Sequence, residues 1–141
     1  MTKEKIGMST QYLGPYINFQ GRAREAMEFY HRVLGGNLDL QASNQQGQLK
    51  PAGPGDRIMN ARLEAEGAVI IATDGHPDYP AKLGDAMGIA LGGTDKDRIA
   101  KVFSGLAEGG QVKMPPSEQS GGVGWLTDKF GINWTVTIKK R

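Results

Sequence analysis

The fold turns on residues 16–36, YINFQGRAREAMEFYHRVLGG. The short apolar run from Tyr16 to Gln20 predicts a strand. Gly21 then admits a helix over residues 22–34. Ala23, Ala26, Met27, Tyr30, Val33 and Leu34 recur at spacings of three and four, which makes one apolar stripe. Arg24, Glu28 and Arg32 lie on the other side as successive i,i+4 pairs, each worth about a few tenths of a kcal/mol. The pair Gly35-Gly36 stops the helix, because glycine takes the left-handed conformation that helix ends favour. Strands are predicted at 38–43, 58–65 and 68–73, the last two joined through a turn at Glu66-Gly67. Residues 45–56, with Gly47, Pro51, Gly53, Pro54 and Gly55, read as a mobile loop.

The same unit recurs downstream. A strand is predicted from Met87 to Leu91. Gly92 and Gly93 lead to Thr94, with Asp97 three residues on, a capping-box pattern that opens a helix over 95–108. Ile99, Val102, Phe103 and Leu106 form its buried stripe, and Gly109-Gly110 closes it. Strands follow at 111–114, 123–127 and 132–138, the last two flanking the turn Asp128-Lys129-Phe130-Gly131. Leu34 and Leu106 occupy matching helix ends, 72 residues apart. Neither half buries its sheet alone, and pairing them solves that problem. The expected architecture is α+β: two βαβββ modules whose curved four-stranded mixed sheets face each other around a cleft, with the helices outside. One domain spans residues 15–138, with modules of about 15–74 and 86–138. Residues 1–14 are an N-terminal extension and 139–141 a basic tail.

Composition narrows the class. With 141 residues the chain is long enough to fold without a metal or disulfide staple. The 17 Lys and Arg against 15 Asp and Glu leave a net charge of +2, too little and too evenly spread for a dedicated nucleic-acid binder. Cysteine is absent, which excludes disulfide scaffolds, thiolate metal sites and thiol nucleophiles, and fits a reducing cytosol. The longest apolar run, Ala68 to Ala72, falls far short of the ~20 residues of a membrane span. The start, MTKEKIGMST, lacks the apolar region of a secretory signal, so the expected location is the cytoplasm. Glycine makes up 21 of the 141 residues, about twice the usual ~7%, and it recurs between apolar segments, as short strands joined by tight turns require.

Residues 16–36 resemble the opening module of the glyoxalase/bleomycin-resistance/vicinal-oxygen-chelate superfamily. The ending VGWLTDKFGINWTVTI and the middle stretch RIMNARLEAEGAVIIATD are similar to its PhnB-like group, whose members end in V-T-D-K-F-G-x-x-W. The resemblance covers Pro15 to Ile138 and implies the doubled-module fold, but it fixes no reaction, since the superfamily holds isomerases, oxygenases, thiol transferases and drug-binding proteins. Metal-using relatives carry His, Glu or Gln ligands on the first, fourth, fifth and eighth strands. The motifs place Pro15, Ile71, Gly88 and Thr135 at those positions, and none suits a divalent ion. No His, Asp or Glu lies within two residues of any of them. The expectation is a vacant metal site and no cofactor. His31 reads as a solvated helix residue. His76, in TDGHPDYP with Asp74 and Asp78, reads either as a weak alternative cation site or as a turn chosen for backbone geometry.

Strand alternation suggests what lines the cleft. In the last strand Ile132, Trp134, Val136 and Ile138 form an apolar face that packs under the helices, leaving Asn133, Thr135 and Thr137 toward the cleft. In the hairpin Met59, Ala61 and Leu63 alternate with Asn60, Arg62 and Glu64. Val69, Ile71 and Thr73 face inward, and Ile17 and Phe19 join them by the same register. The expected ligand-binding set is Phe19, Asn60, Arg62, Ile71, Thr73, Trp125, Asn133 and Thr135, a mixture that suits a small organic ligand. Arg62 needs a partner, either Glu64 or an anionic ligand. Trp125 stacks on a ligand or fills the core, and Trp134 belongs to the core.

Three functions fit these residues: a metal-free homodimeric binding module for a small molecule; a lyase- or isomerase-type enzyme without the usual metal, with Glu64 or Asp74 as base; and a scaffold with a vestigial cleft. The dimer is what the resemblance implies, and open curved sheets leave edges that need cover. A phosphonate or methyl-transfer role, which the group's names suggest, finds no metal site and no cofactor-binding glycine loop. The Gly92-Gly93-Thr94 turn lacks phosphate-loop spacing.

Overall fold

A computed structural model describes residues 11–140; the first ten residues of the N-terminal extension and Arg141 of the basic tail lie outside the described residues. Two sheets and two helices form in the order expected. The first module runs β1 (Tyr16–Asn18), α1 (Ala23–Leu34), β2 (Asn37–Ser43), β3 (Leu49–Pro51), β4 (Asn60–Ala65) and β5 (Ala68–Thr73). The second runs β6 (Ile89–Gly93), α2 (Lys96–Ala107), β7 (Gln111–Met114), β8 (Val123–Thr127) and β9 (Asn133–Ile138). The first sheet has the order β1-β5-β4-β2-β3 and the second β6-β9-β8-β7. In each sheet the strand before the helix joins parallel to the module's last strand while the remaining pairs are antiparallel, so both sheets are mixed. Among the described residues, no helix is long and apolar enough to cross a membrane.

Three predicted elements shift. The segment read as one loop contains β3, an exposed edge strand that pairs with β2, so the first sheet has five strands and not four. Leu49–Pro51 lacks an apolar alternation of its own, and its ladder is set by the partner. The strand predicted at 87–91 lies two residues later: Ile89 pairs with Trp134 and Gly93 with Ile138, while Met87 is exposed. The register with β9 overrides the weak strand preference of Gly92 and Gly93. The cap of α2 is Asp95, whose side chain accepts from the Arg98 N–H at 3.1 Å, and not Thr94. Both helices end at or just before the paired glycines, at Leu34 and Ala107. At each stop the second glycine, Gly36 or Gly110, lies against a neighbouring strand's carbonyl, that of Glu64 or Thr127, where a β-carbon has no room.

One core joins the modules. It gathers Met27, Phe29 and Tyr30 of α1, Val102, Phe103 and Leu106 of α2, Ala61 and Leu63 of β4, and Trp134 and Val136 of β9. Rings of Phe19, Phe29, Tyr30, Phe130 and Trp134 contact one another with centroids 5.6–6.1 Å apart and tilted or edge-to-face planes. Asp128, buried in the turn between β8 and β9, ties this cluster together. Its Oδ2 accepts from the Tyr30 hydroxyl at 2.6 Å and the Trp134 indole N–H at 2.9 Å. Its Oδ1 accepts from the N–H groups of Phe130 at 2.8 Å and Ile132 at 3.1 Å. Burial, and then the adjacent Asp128 charge, hold the Tyr30 phenol far above its ordinary range. The D-K-F-G stretch therefore does structural work: it fastens helix α1 of one module to strand β9 of the other.

Candidate functional site

Each sheet has a second face that the core does not cover. On the first sheet, β4 turns Ala61 and Leu63 into the core and leaves Asn60, Arg62 and Glu64 on the open side. Arg62 lies opposite Asp39 of β2 and Ile71 of β5, which puts a carboxylate and an apolar side chain beside it. Its Nε donates to Glu64 Oε1 at 3.1 Å, and the Arg62 and Glu64 side chains are 30% and 50% exposed. The bond to Glu64 raises the guanidinium pKa above its ordinary value. The Tyr12 ring sits 4.3 Å from the guanidinium carbon. Tyr12 arrives because residues 11–14 pass across β5, where Gly14 is pressed against the Val69 carbonyl and a β-carbon would not fit. Sequence reading missed Tyr12; the signal was an aromatic residue just ahead of Gly14-Pro15 at the start of the first strand.

On the second sheet, Trp134 and Val136 are sealed in the core and Thr135 is exposed between them. Trp125 of β8 pairs with Thr135 on one side and Met114 of β7 on the other, and it is 46% exposed. It does not fill the core. A bulge between Val112 and Met114 leaves Lys113 as the extra residue, and its Nζ lies 5.1 Å from the Trp125 ring centroid. Lys113 was not singled out from the sequence, because a bulge leaves no mark in strand alternation. Asn133, at the start of β9, accepts from the Thr127 hydroxyl at 2.7 Å and reaches toward the Met87 carbonyl at 3.4 Å.

Other predicted members lie elsewhere. Phe19 is buried in the aromatic cluster, and Ile17 packs on the same core. The reason is the parallel register: Ile17 pairs with Ala72, a core residue, so it is Tyr16 that shares the open face with Ile71. Met59 precedes β4 and is exposed. Thr73 is buried, and its hydroxyl accepts from the Gly75 N–H at 3.1 Å. Asp74 is buried too: its Oδ1 accepts from Ala23 N–H at 2.8 Å and its Oδ2 from Ile58 N–H at 2.7 Å. Both oxygens are committed to closing the start of α1 and anchoring the approach to β4, so Asp74 is not placed to act as a base. Glu64 is on the open face but held by Arg62.

The metal positions can be located individually. The Pro15 carbonyl accepts from Ile71 N–H at 2.9 Å, so these two lie side by side at the β1–β5 edge. Thr135 pairs with Ala90, and Gly88 packs on Asn133, where a β-carbon would come within 2.9 Å of the carbonyl oxygen. The four side chains offer no imidazole or carboxylate, so the residues present do not fit the superfamily's ion. His76 Nδ1 accepts from Asp78 N–H at 3.1 Å and its ring contacts Tyr79, the geometry of a turn. Among the described residues no three His, Asp or Glu side chains converge for metal binding.

Two cavities lie away from the open faces. One of about 520 Å³ runs beside α1 between Arg22, Arg32, Asp56 and Lys129. Several of its charges are paired, Arg22 with Glu25, Asp56 with Lys50 and Lys129 with Glu108, while Arg32 lies over the Phe29 ring and Arg24 donates to the Gly53 carbonyl. Asp56, held below the usual carboxylate range chiefly by the Gly53 N–H, also closes its own loop. A smaller one of about 210 Å³ touches Arg57, Asp74 and His76. The larger of these two is lined mostly by charged side chains, unlike the mixed aromatic and polar open faces.

The chain matches the family model described as 3-demethylubiquinone-9 3-methyltransferase over residues 11–137. It is similar to protein PA1353 from Pseudomonas aeruginosa, at 35% identity and TM-score 0.77, covering 94% of this chain and 100% of that one. It is similar to a PhnB protein from Bacillus cereus, at 25% identity and TM-score 0.69, covering 91% and 99%. The fold extends to the fosfomycin resistance protein FosX from Listeria monocytogenes, at 10% identity and TM-score 0.61, covering 94% and 93%. Two mixed-sheet modules joined by one core, with a match spanning nearly every described residue, show that the chain belongs to the PhnB-like 3-demethylubiquinone-9 3-methyltransferase family and has the fold that FosX shares.

Proposed function

We propose that the chain is a metal-free binding module, a homodimer that holds a small organic molecule in the cleft lined by the open sheet faces. One observation carries the reading: each sheet seals one face in the core and presents a mixed aromatic and polar set on the other, with Tyr12, Tyr16, Arg62 and Ile71 on the first and Trp125, Met114 and Thr135 on the second. Apolar contact area with a few polar groups is the chemistry of small-molecule sites. A second copy supplies the cover. Strands β6 to β9 contain Lys113 and no carboxylate, whereas the first sheet's open face holds Asp39 and Glu64 around Arg62, so the two faces are complementary in charge.

The family description speaks of methyl transfer, and FosX is known in a form complexed with Mn(II). Neither carries over on the residues present. The metal positions hold Pro15, Ile71, Gly88 and Thr135. The two strand-to-helix turns, where a nucleotide-like cofactor would meet helix N–H groups, are each closed by an aspartate, Asp74 on α1 and Asp95 on α2.

Light scattering at micromolar concentration, elemental analysis of protein purified without chelator, and a thermal-shift screen of small organic compounds test the proposal. The expected results are a dimer, no stoichiometric metal, and at least one compound whose stabilisation disappears in Arg62→Ala. A monomer, one tightly held ion per chain, or a screen with no response each removes the part of the reading it addresses.

A further inference from the structure

Resting on that reading, we infer that Trp125 and Lys113 form a subsite for a planar aromatic ring bearing an acidic group. Trp125 presents a large ring on a strand whose neighbouring residues, Gly124 and Leu126, are buried. Met114 and Thr135 flank it on the adjacent strands, one soft and apolar, the other small and polar. A flat ligand ring therefore meets the indole without having to displace core. Lys113 reaches the same face for a separate reason. The β7 bulge takes it out of the regular alternation and brings its ammonium over the indole. Among the described residues its ammonium makes no ion pair. The strands of this sheet offer it no carboxylate. A cation resting on an exposed ring is weakly held. An arriving aromatic anion takes the ring face, and the ammonium moves off the indole to meet the acidic group. Ring and charge are thus recognised by two adjacent side chains, which excludes neither a neutral ring nor an aliphatic acid but favours their combination.

Titration calorimetry at neutral pH with 2-naphthoate and with neutral 2-naphthalenemethanol tests this, using the full chain, Trp125→Ala and Lys113→Met. Circular dichroism verifies that both variants fold, which the exposure of the two side chains leads us to expect. Trp125→Ala should weaken both probes by about tenfold, the loss of a stacking platform. Lys113→Met, which keeps an apolar stem, should weaken 2-naphthoate by about fivefold and leave the neutral probe within about twofold, as a solvent-exposed charge pair allows. Failure of 2-naphthoate to bind at millimolar concentration overturns the subsite, as does binding indifferent to Trp125→Ala. Equal losses for both probes in Lys113→Met overturn the charge assignment. If the subsite fails while the compound screen still yields an Arg62-dependent hit, the binding function stands without it; if neither responds, both fall.

Discussion

The sealed and open faces of the two sheets are made from the same strands and obey different rules. In β9, Trp134 and Val136 are buried while Thr135 between them meets solvent; in β4, Ala61 and Leu63 alternate with Asn60 and Arg62 in the same way. On the sealed side the polar groups are fully used. The Asp128 carboxylate accepts four hydrogen bonds and that of Asp74 two, and among the described residues no buried side-chain polar atom lacks a partner. On the open side Arg62 and Glu64 are partly exposed and hold each other by one bond. Burial of an acidic residue is often a pointer to function. Here it points to fastening, and the loosely held groups are the ones free to meet a ligand.

The strongest way to break this contrast is Asp128→Ala. The substitution leaves the Tyr30 hydroxyl, the Trp134 indole and two backbone N–H groups without their acceptor. Each buried group left unsatisfied costs about 1–3 kcal/mol before any relaxation. The expected loss is on the order of 3 kcal/mol or more, a fall in melting temperature on the order of 10 °C for a chain of this size. Denaturant titration measures it. A loss under about 1 kcal/mol would show that the turn between β8 and β9 folds without its carboxylate.

Tyr30 sharpens the same point through pH. Its phenol is held above its ordinary range by burial and then by the Asp128 charge. Below about pH 10 the hydroxyl is protonated in both folded and unfolded chains, so the shift contributes no slope there. Above that pH the unfolded chain releases a proton that the folded chain keeps. Stability should then fall by about 1.4 kcal/mol per pH unit from this group alone. Tyr30→Phe should cost about 1–3 kcal/mol at neutral pH, for the lost bond to a buried charge, and should flatten the alkaline limb relative to the parent. Comparing the two pH profiles isolates Tyr30 from the other tyrosines and the lysines. Parallel profiles above pH 10 would sever Tyr30 from the clamp.

How far the sequence reveals these features depends on the range of the interaction. The helix over 23–34 was legible from its apolar stripe, and the hairpin of β4 and β5 from Glu66-Gly67, because both are local patterns. The faces of β4 and β9 followed from strict alternation. The face of β1 did not: three residues carry little pattern, and the parallel register with β5 put Ile17 and Phe19 on the core side. Asp128 looked like an ordinary turn residue, since its partner Tyr30 lies 98 residues away. Asp74 looked like a candidate base because its two amide partners, 51 and 16 residues off, are invisible along the chain. Lys113 required a bulge, and Tyr12 the path of the residues before β1. Local periodicity thus located the open faces, whereas the roles of single polar residues were decided by contacts the periodicity does not encode.

The smallest expected effect is the other half of the comparison. Arg62→Ala should change the chain's unfolding free energy by no more than about 0.5–1 kcal/mol, because a partly exposed pair gains little from its charge and its ordering entropy offsets much of that. The cation–ring contact with Tyr12 is also exposed and adds little. The remaining difference from the parent should shrink further as salt is raised and the pair is screened. A large, salt-independent loss in Arg62→Ala would mean that the guanidinium is sealed in the assembled protein as firmly as Asp128 is in the core. Arg62 would then belong to the fastening of the fold, and the disappearance of a compound's thermal shift in that variant would report damage to the scaffold and no longer the loss of a ligand contact.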